Sequence, residues 1–176
     1  LRLLVVGGSL GAQVLNERVP AALGLMAADA RPEVRHQAGK NKDAATVAAY
    51  QEAGVEASVS NFIGDMAQAY EWADLVVCRS GALTVTELAA AGRASILVPF
   101  PHAVDDHQTI NANYLVKAGA AKLIPQAQMS VQTLSDTLAE LLDAHRLLEM
   151  GRRARSVAQL EATDIMAQGC METGFE

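Results

Sequence analysis

Short, unbroken apolar runs alternate with longer amphipathic stretches along the chain. Leu3-Leu4-Val5-Val6 is the first run, and its continuity predicts a strand buried on both faces. Gly7-Gly8-Ser9-Leu10-Gly11 breaks it, and residues 12–28 carry Val14, Leu15, Val19, Leu23 and Met26 at helical spacing. Residues 34–37 predict a second strand, and residues 43–53 a helix stopped by Gly54. Residues 57–60 predict a third strand, then 65–73 a short helix with Asp65 as N-cap. Residues 74–78 form the clearest buried strand, and 83–91 the helix behind it, closed by Gly92. A strand at 95–98, a helix at 107–118 and a last strand at 121–124 follow. Ser130 caps a helix reaching about residue 142, and a final helix starts near residue 144.

Six strands alternating with helices imply right-handed βαβ units. The expected fold class is α/β: a Rossmann-like, open, parallel six-stranded sheet with helices on both faces. Ligands bind such sheets beyond the carboxyl ends of the strands. No repeat, low-complexity tract or linker divides the chain, and 176 residues suit one domain.

Composition narrows this. Charged residues make up 19% against 51% hydrophobic, which excludes a disordered chain. A net charge of −6 excludes the footprint of a nucleic-acid-binding domain. Arg152, Arg153 and Arg155 are the one dense basic patch and read as a solvated helix face. Cys78 and Cys170 stand far apart in no paired spacing, so a reducing compartment is expected. No apolar stretch reaches the ~18 residues of a membrane span.

Four strand-end segments carry candidate chemistry. Gly8, Ser9 and Gly11 lie between the first strand and its helix, where amides and the helix dipole favour an anion. The plainer reading is a tight turn with no ligand. The dinucleotide motif G-x-G-x-x-G is absent, Gln37-Ala38-Gly39 stands where a ribose-binding acid belongs, and no P-loop lysine follows. Arg79-Ser80-Gly81 makes a second such turn. Behind it, Thr84-x-x-Glu87 fits a capping box, and Glu87 equally fits a carboxylate for a ribose diol. Phe62, Ile63 and Met66 suit either an apolar slot for a flat base or the core. The fourth segment, residues 99–109, offers polar groups for sugar hydroxyls. His102, Asp105, Asp106 and His107 allow a metal site there, while Asp106 also suits a helix cap. Lone His36 and His145 read as structural or solvated. HExxH and CxxC motifs are missing.

Together these segments resemble the C-terminal domain of the bacterial family-28 glycosyltransferases of GT-B type, which make lipid II. The resemblance rests on Val5-Val6-Gly7-Gly8-Ser9-Leu10-Gly11-Ala12-Gln13-Val14-Leu15-Asn16, on Phe62-Ile63 before Asp65-Met66, and on the run from Ala73 through Cys78-Arg79-Ser80-Gly81 to Glu87. Pro99-Phe100-Pro101-His102, Asp106-His107-Gln108-Thr109, Asn111-Ala112 and Gly119-Ala120-Ala121 extend it, so it spans Leu3 to about Ala158.

That resemblance implies transfer of N-acetylglucosamine from UDP-N-acetylglucosamine to lipid I, the undecaprenyl-diphosphate-linked N-acetylmuramoyl-pentapeptide. It implies a peripheral enzyme on the cytoplasmic side of the bacterial inner membrane, built from two facing Rossmann-like domains. Residues 1–176 are then a single donor-binding domain, and the amino-terminal acceptor domain lies outside this chain. The opening in mid-strand without Met fits a piece of a longer protein. Ser9, with Gly8 and Gly11, is implied to hold the diphosphate. The backbone of Ile63 meets the uracil, with Phe62 and Met66 alongside. Ser80, Gly81, Ala82, Leu83, Thr84, Val85 and Thr86 line the nucleotide, with Ala82 to Thr84 doing so through main-chain amides. Glu87 takes the ribose hydroxyls. Gln108 contacts the sugar, and His107 stands where relatives often carry a second Gln. The implied reaction is direct displacement with inversion, with no catalytic base in this domain and no cofactor. Metal is not required, and no Asp-x-Asp occurs in the chain. The isolated domain is expected to be inactive. The rivals are an epimerase-like UDP-sugar enzyme of the same fold and a non-catalytic nucleotide-sugar module. The latter would show loss of Ser9, Glu87 or Gln108, and all three are present.

Overall fold

A computed structural model describes residues 1–101 and 106–161. Its elements, in order, are β1 (Arg2–Val6), α1 (Gln13–Gly24), β2 (Glu33–Gln37), α2 (Asp43–Glu52), β3 (Ser58–Ser60), α3 (Met66–Trp72) and β4 (Leu75–Cys78). They continue with α4 (Ala82–Ala91), β5 (Ala94–Leu97), α5 (His107–Lys117), β6 (Ala121–Leu123), α6 (Val131–Leu141) and α7 (Ala144–Ser156). Every predicted strand and helix is present. The six strands form one parallel sheet in the order β3-β2-β1-β4-β5-β6. The chain runs outward from β1 in one direction and from β4 in the other. The reversal between them opens a crevice at the carboxyl ends.

The register shapes the rim of that crevice. Val6 pairs with Gln37 on one side and Cys78 on the other, and Cys78 pairs with Leu97. Gly7, Ala38, Arg79 and Val98 therefore leave the sheet side by side. Alternate strand residues feed two cores. Leu3, Val5, Val77 and Ile96 pack with α1, α2, α6 and the start of α7. Leu4, Val76, Cys78 and Leu97 pack with α3, α4 and α5. Such burial supplies the driving force of folding, at about 25 cal/mol per Å² of apolar surface.

Caps account for several helix starts. Asp65 accepts from the amide of Gln68 at 2.9 Å, and Ser130 from that of Thr133 at 3.0 Å, as the sequence predicts. The first helix ends at Gly24, four residues short of the predicted 28. Arg31 caps that end instead, donating to the carbonyls of Gly24 and Met26, and residues 28–30 form a 3-10 turn. Arg152, Arg153 and Arg155 lie exposed on α7, with Arg153 paired to Glu149 and Arg155 donating to the carbonyl of Ala90. His145 is exposed, and Cys170 lies outside the described residues. No helix of the described residues is long and apolar enough to cross a membrane.

His36 is structural, as expected. The carbonyl of Ala38 can only accept, so it takes the Asn16 side-chain amide at 3.0 Å and turns Asn16 Oδ1 toward His36 Nε2, 3.0 Å away. Nε2 must then carry the proton, leaving Nδ1 to accept from the Tyr50 hydroxyl at 2.9 Å. No site remains for a second proton, and burial lowers the pKa of His36 to about 3. Above pH 6.5 the imidazole is neutral whether folded or unfolded. Below it, the unfolded chain takes up a proton that the folded chain refuses until about pH 3. Stability therefore falls with pH, at about 1.4 kcal/mol per unit for this group. Between pH 7 and pH 5 the His36 contribution to the loss is about 2 kcal/mol. Urea unfolding at both pH values should show it, and His36→Gln should flatten that part of the slope. An unchanged slope in the variant would remove His36 as the cause.

Candidate functional site

The loop from β1 to α1 is held by its neighbours more than by itself. Gln37 is 3% exposed and donates to the carbonyls of Gly8 and Asn61 at 3.0 and 2.8 Å, while accepting the Gly8 amide at 2.9 Å. The Gly11 amide bonds to the Gly8 carbonyl at 2.8 Å. Gly8 and Gly11 have φ of 81° and 70°, a region costly for other residues. Their space differs. A β-carbon on Gly8 would meet nothing within 4 Å, whereas one on Gly11 would lie 2.1 Å from the carbonyl of Ala38. Gly8 leaves room for a ligand, and Gly11 serves backbone packing. The amides of both are already bonded, so the groups left for an anion are the leading amides of α1 and the exposed Ser9 hydroxyl. The N-cap Ala12 gives no side-chain bond, and α1 has no acid in its first turn.

Beside that helix start is a cavity of about 510 Å³, lined by Gln13, Lys42, Arg79, Gln108 and Gln126 among others. Arg79 donates to the carbonyls of Val98 and Pro99 at 3.1 and 3.0 Å and to Gln126 Oε1 at 2.7 Å. Its guanidinium also lies 5.4 Å from the Phe100 ring centre. Half-buried, it has its pKa pulled below the ordinary arginine value by desolvation. Among the described residues no carboxylate pairs with Arg79 or Lys42. The cavity thus presents two uncompensated cations and a helix N-terminus. No motif in the sequence assigns Arg79, Lys42, Gln37 or Gln126 a binding role. Arg79 had a signal, since a cation directly after a buried strand must emerge at the crevice.

The loops after β4 and β5 are locked together. Ser80 is fully buried; its hydroxyl donates to the carbonyl of Gln108 at 2.8 Å, and its own carbonyl accepts from Asn111 at 3.2 Å. Gln108 Oε1 accepts the Phe100 amide at 2.9 Å, leaving its NH2 as the group to offer. His107 is exposed at the start of α5. Asp106 occupies the N-cap position but has φ of 51°, and its carboxylate accepts from the Thr109 hydroxyl at 2.7 Å. The expected side-chain cap is not formed there, because caps use extended backbone. His102 and Asp105, candidates for a metal, lie outside the described residues.

The capping-box reading of Thr84 and Glu87 is overturned. The helix starts at Ala82 with Gly81 as N-cap, three residues before the Thr84 that a capping box requires there, so Thr84 is already inside it. Glu87 lies beyond the first turn, out of reach of the helix-end amides, and its Oε2 instead accepts from the Tyr70 hydroxyl at 2.9 Å. Burial first, and the Glu87 charge second, push the neighbouring Cys78 thiol up to about 12. Helical spacing splits the remaining candidates. Leu83, Thr84 and Glu87 share one side of α4. Ala82, Val85 and Thr86 face α5 across a groove of about 410 Å³, where the Thr86 hydroxyl bonds back to the Ala82 carbonyl.

Ile63 and Met66 are partly buried against the second core, while Phe62 stands 72% exposed. The three most exposed large apolar side chains of the described residues are Leu10 at 82%, Leu83 at 79% and Phe62 at 72%. Each lies within five residues of a strand carboxyl end, Leu83 in the first turn of α4.

The sheet order and the crevice at its reversal place the chain in the α/β class of GT-B type. The glycosyltransferase family 28 C-terminal domain model matches residues 2–168, and the chain belongs to that family. A Chromohalobacter salexigens protein is 62% identical over 172 residues, and a Marinobacter nauticus protein 58% over 173. Each match covers 98% of this chain. Both carry the name UDP-N-acetylglucosamine--N-acetylmuramyl-(pentapeptide) pyrophosphoryl-undecaprenol N-acetylglucosamine transferase. The chain spans 47% and 48% of their lengths. A crystal structure of Acinetobacter baumannii MurG superposes with a TM-score of 0.93 at 45% identity, over 98% of this chain and 52% of that one.

Gln37 joins the glycine loop to the loop after β3. Replacing it by leucine keeps the bulk and removes three part-buried hydrogen bonds to loop backbone. Gln37→Leu should lose about 2–3 kcal/mol in urea unfolding. Amide exchange should also quicken at residues 8–12, and unchanged exchange there would show that Gln37 does not hold the loop.

Proposed function

We propose that the chain is the donor-binding domain of an inverting transferase that moves N-acetylglucosamine from UDP-N-acetylglucosamine to lipid I, forming lipid II for peptidoglycan. The observation that carries this is a cavity at the start of α1 that holds Arg79 and Lys42 with no paired acid among the described residues, together with the Glu87 carboxylate on a separate helix. A nucleotide diphosphate sugar needs both. The names of the relatives support the same donor and acceptor.

The leading amides of α1, the Ser9 hydroxyl, Arg79 and Lys42 receive the diphosphate. Gly8 leaves the space for its approach. The uracil meets the Ile63 backbone, with Phe62 and Met66 beside it, and Leu83 and Thr84 flank the nucleoside. Glu87 accepts the ribose hydroxyls, and the Gln108 NH2 reaches the sugar with His107 alongside. In the reaction an acceptor oxygen forms a bond to the anomeric carbon as the bond to UDP breaks. Negative charge grows on the departing diphosphate. Fixed amides and Arg79 stabilise it there, a role of oxyanion-hole kind, so no metal is needed. The base and the lipid acceptor site belong to an amino-terminal domain. The whole enzyme works as a peripheral protein on the cytoplasmic side of the inner membrane.

Calorimetric titration tests the donor half directly. UDP and UDP-N-acetylglucosamine should bind the 176-residue chain, TDP-glucose more weakly, and EDTA should change nothing. Glu87→Ala should weaken UDP by about 5- to 150-fold, the equivalent of roughly 1–3 kcal/mol of lost hydrogen bonds. Absence of UDP binding, or equal binding by the variant, would refute the site. With lipid I added, the chain alone should form no lipid II.

A further inference from the structure

Glu87 is exposed on α4, and exposed glutamates ordinarily sample many rotamers. This one is tethered. Tyr70, on α3, is 4% exposed, with its ring in the second core and its hydroxyl 2.9 Å from Glu87 Oε2. Among the described residues this is the one side-chain hydrogen bond of Glu87, which forms no ion pair. Burial raises the phenol pKa above its ordinary value, and Cys78 and Glu87 raise it further, so Tyr70 keeps its proton and remains the donor.

A carboxylate offers about four acceptor positions. Tyr70 takes one and leaves the others along the groove of about 500 Å³ between α3 and α4, which Met66, Tyr70 and Glu87 line. A vicinal diol brings two O–H donors whose spacing suits a carboxylate held in one plane. A side chain fixed in advance loses less freedom on binding. We propose that Tyr70 is a positioning residue that orients Glu87 toward a ribose diol and so favours ribonucleotides over nucleotides lacking those hydroxyls. This rests on the ribose-binding role proposed for Glu87.

Titration of UDP and 2′,3′-dideoxy-UDP into the 176-residue chain separates the possibilities. Tyr70→Phe keeps the ring in the core and removes only the donor. It should weaken UDP by about three- to tenfold and leave dideoxy-UDP unchanged. In the Glu87→Ala background it should have no further effect, because its action passes through Glu87. Equal weakening of both ligands, no weakening of either, or an added loss in the double variant would each overturn the proposal. Should Tyr70→Phe not fold, Glu87→Asp carries the question, since it keeps the charge but draws it away from Tyr70. Loss of the preference for UDP supports the tether, and a retained preference overturns it. Glu87→Ala alone tells the two readings apart. If it shifts the preference and Tyr70→Phe does not, only the Tyr70 role fails. If it shifts nothing, the ribose site and the tether fail together.

Discussion

The backbone of residues 10 and 11 lies directly against that of residues 38 and 39. A β-carbon on Gly39 would sit 2.3 Å from the Gly11 amide nitrogen, and one on Gly11 2.1 Å from the Ala38 carbonyl. Both glycines have positive φ, so two constraints coincide at each. This contact sets how closely the turns after β1 and β2 approach. It is braced from below by the bond from Asn16 to Ala38 and by the neutral His36 behind Asn16. From above it is braced by Gln37, which reaches back to Gly8. The start of α1 is thereby aimed at the crevice, and the proposed anion site depends on that aim.

Charge is distributed to match. The chain carries a net −6, yet its crevice gathers Arg79, Lys42 and a positive helix end without a paired acid among the described residues. Low-dielectric walls focus such a local field even when the whole molecule is acidic. Glu87 is kept away from it, in a separate groove between α3 and α4. A carboxylate beside the cations would neutralise them. On a neighbouring helix it is free to accept hydroxyls instead.

Strand and helix identity was legible because the period of the apolar pattern reports burial directly. The four buried residues of β4, Leu75 to Cys78, have no competing reading. Helix ends were less legible, because they depend on partners distant in sequence. Arg31 ends α1 from outside the helix. The N-cap of α4 is Gly81 and not Thr84, three residues earlier, which makes Glu87 an outward carboxylate and not a capping group. Site support was hidden for the same reason. Gln37 acts on Gly8, 29 positions away, and Arg79 on Gln126, 47 away. Tyr70 looks like an ordinary core aromatic until its hydroxyl is traced to Glu87.

Those supports bear on the chemistry. A group that stabilises developing charge helps most when it does not have to move as the charge appears. Arg79 meets that condition through two backbone carbonyls and Gln126, all of which accept without neutralising it. The α1 amides meet it through the glycine contact. In the proposed reaction both act on the departing diphosphate, where charge increases between the bound donor and the transition state. Interactions that strengthen along that path speed the reaction, whereas equal binding of both states does not. Attack by the acceptor requires a base and a second binding surface, which the proposal assigns to the other domain. On that proposal, the rigidity of this domain serves leaving-group departure, and turnover waits on the other domain.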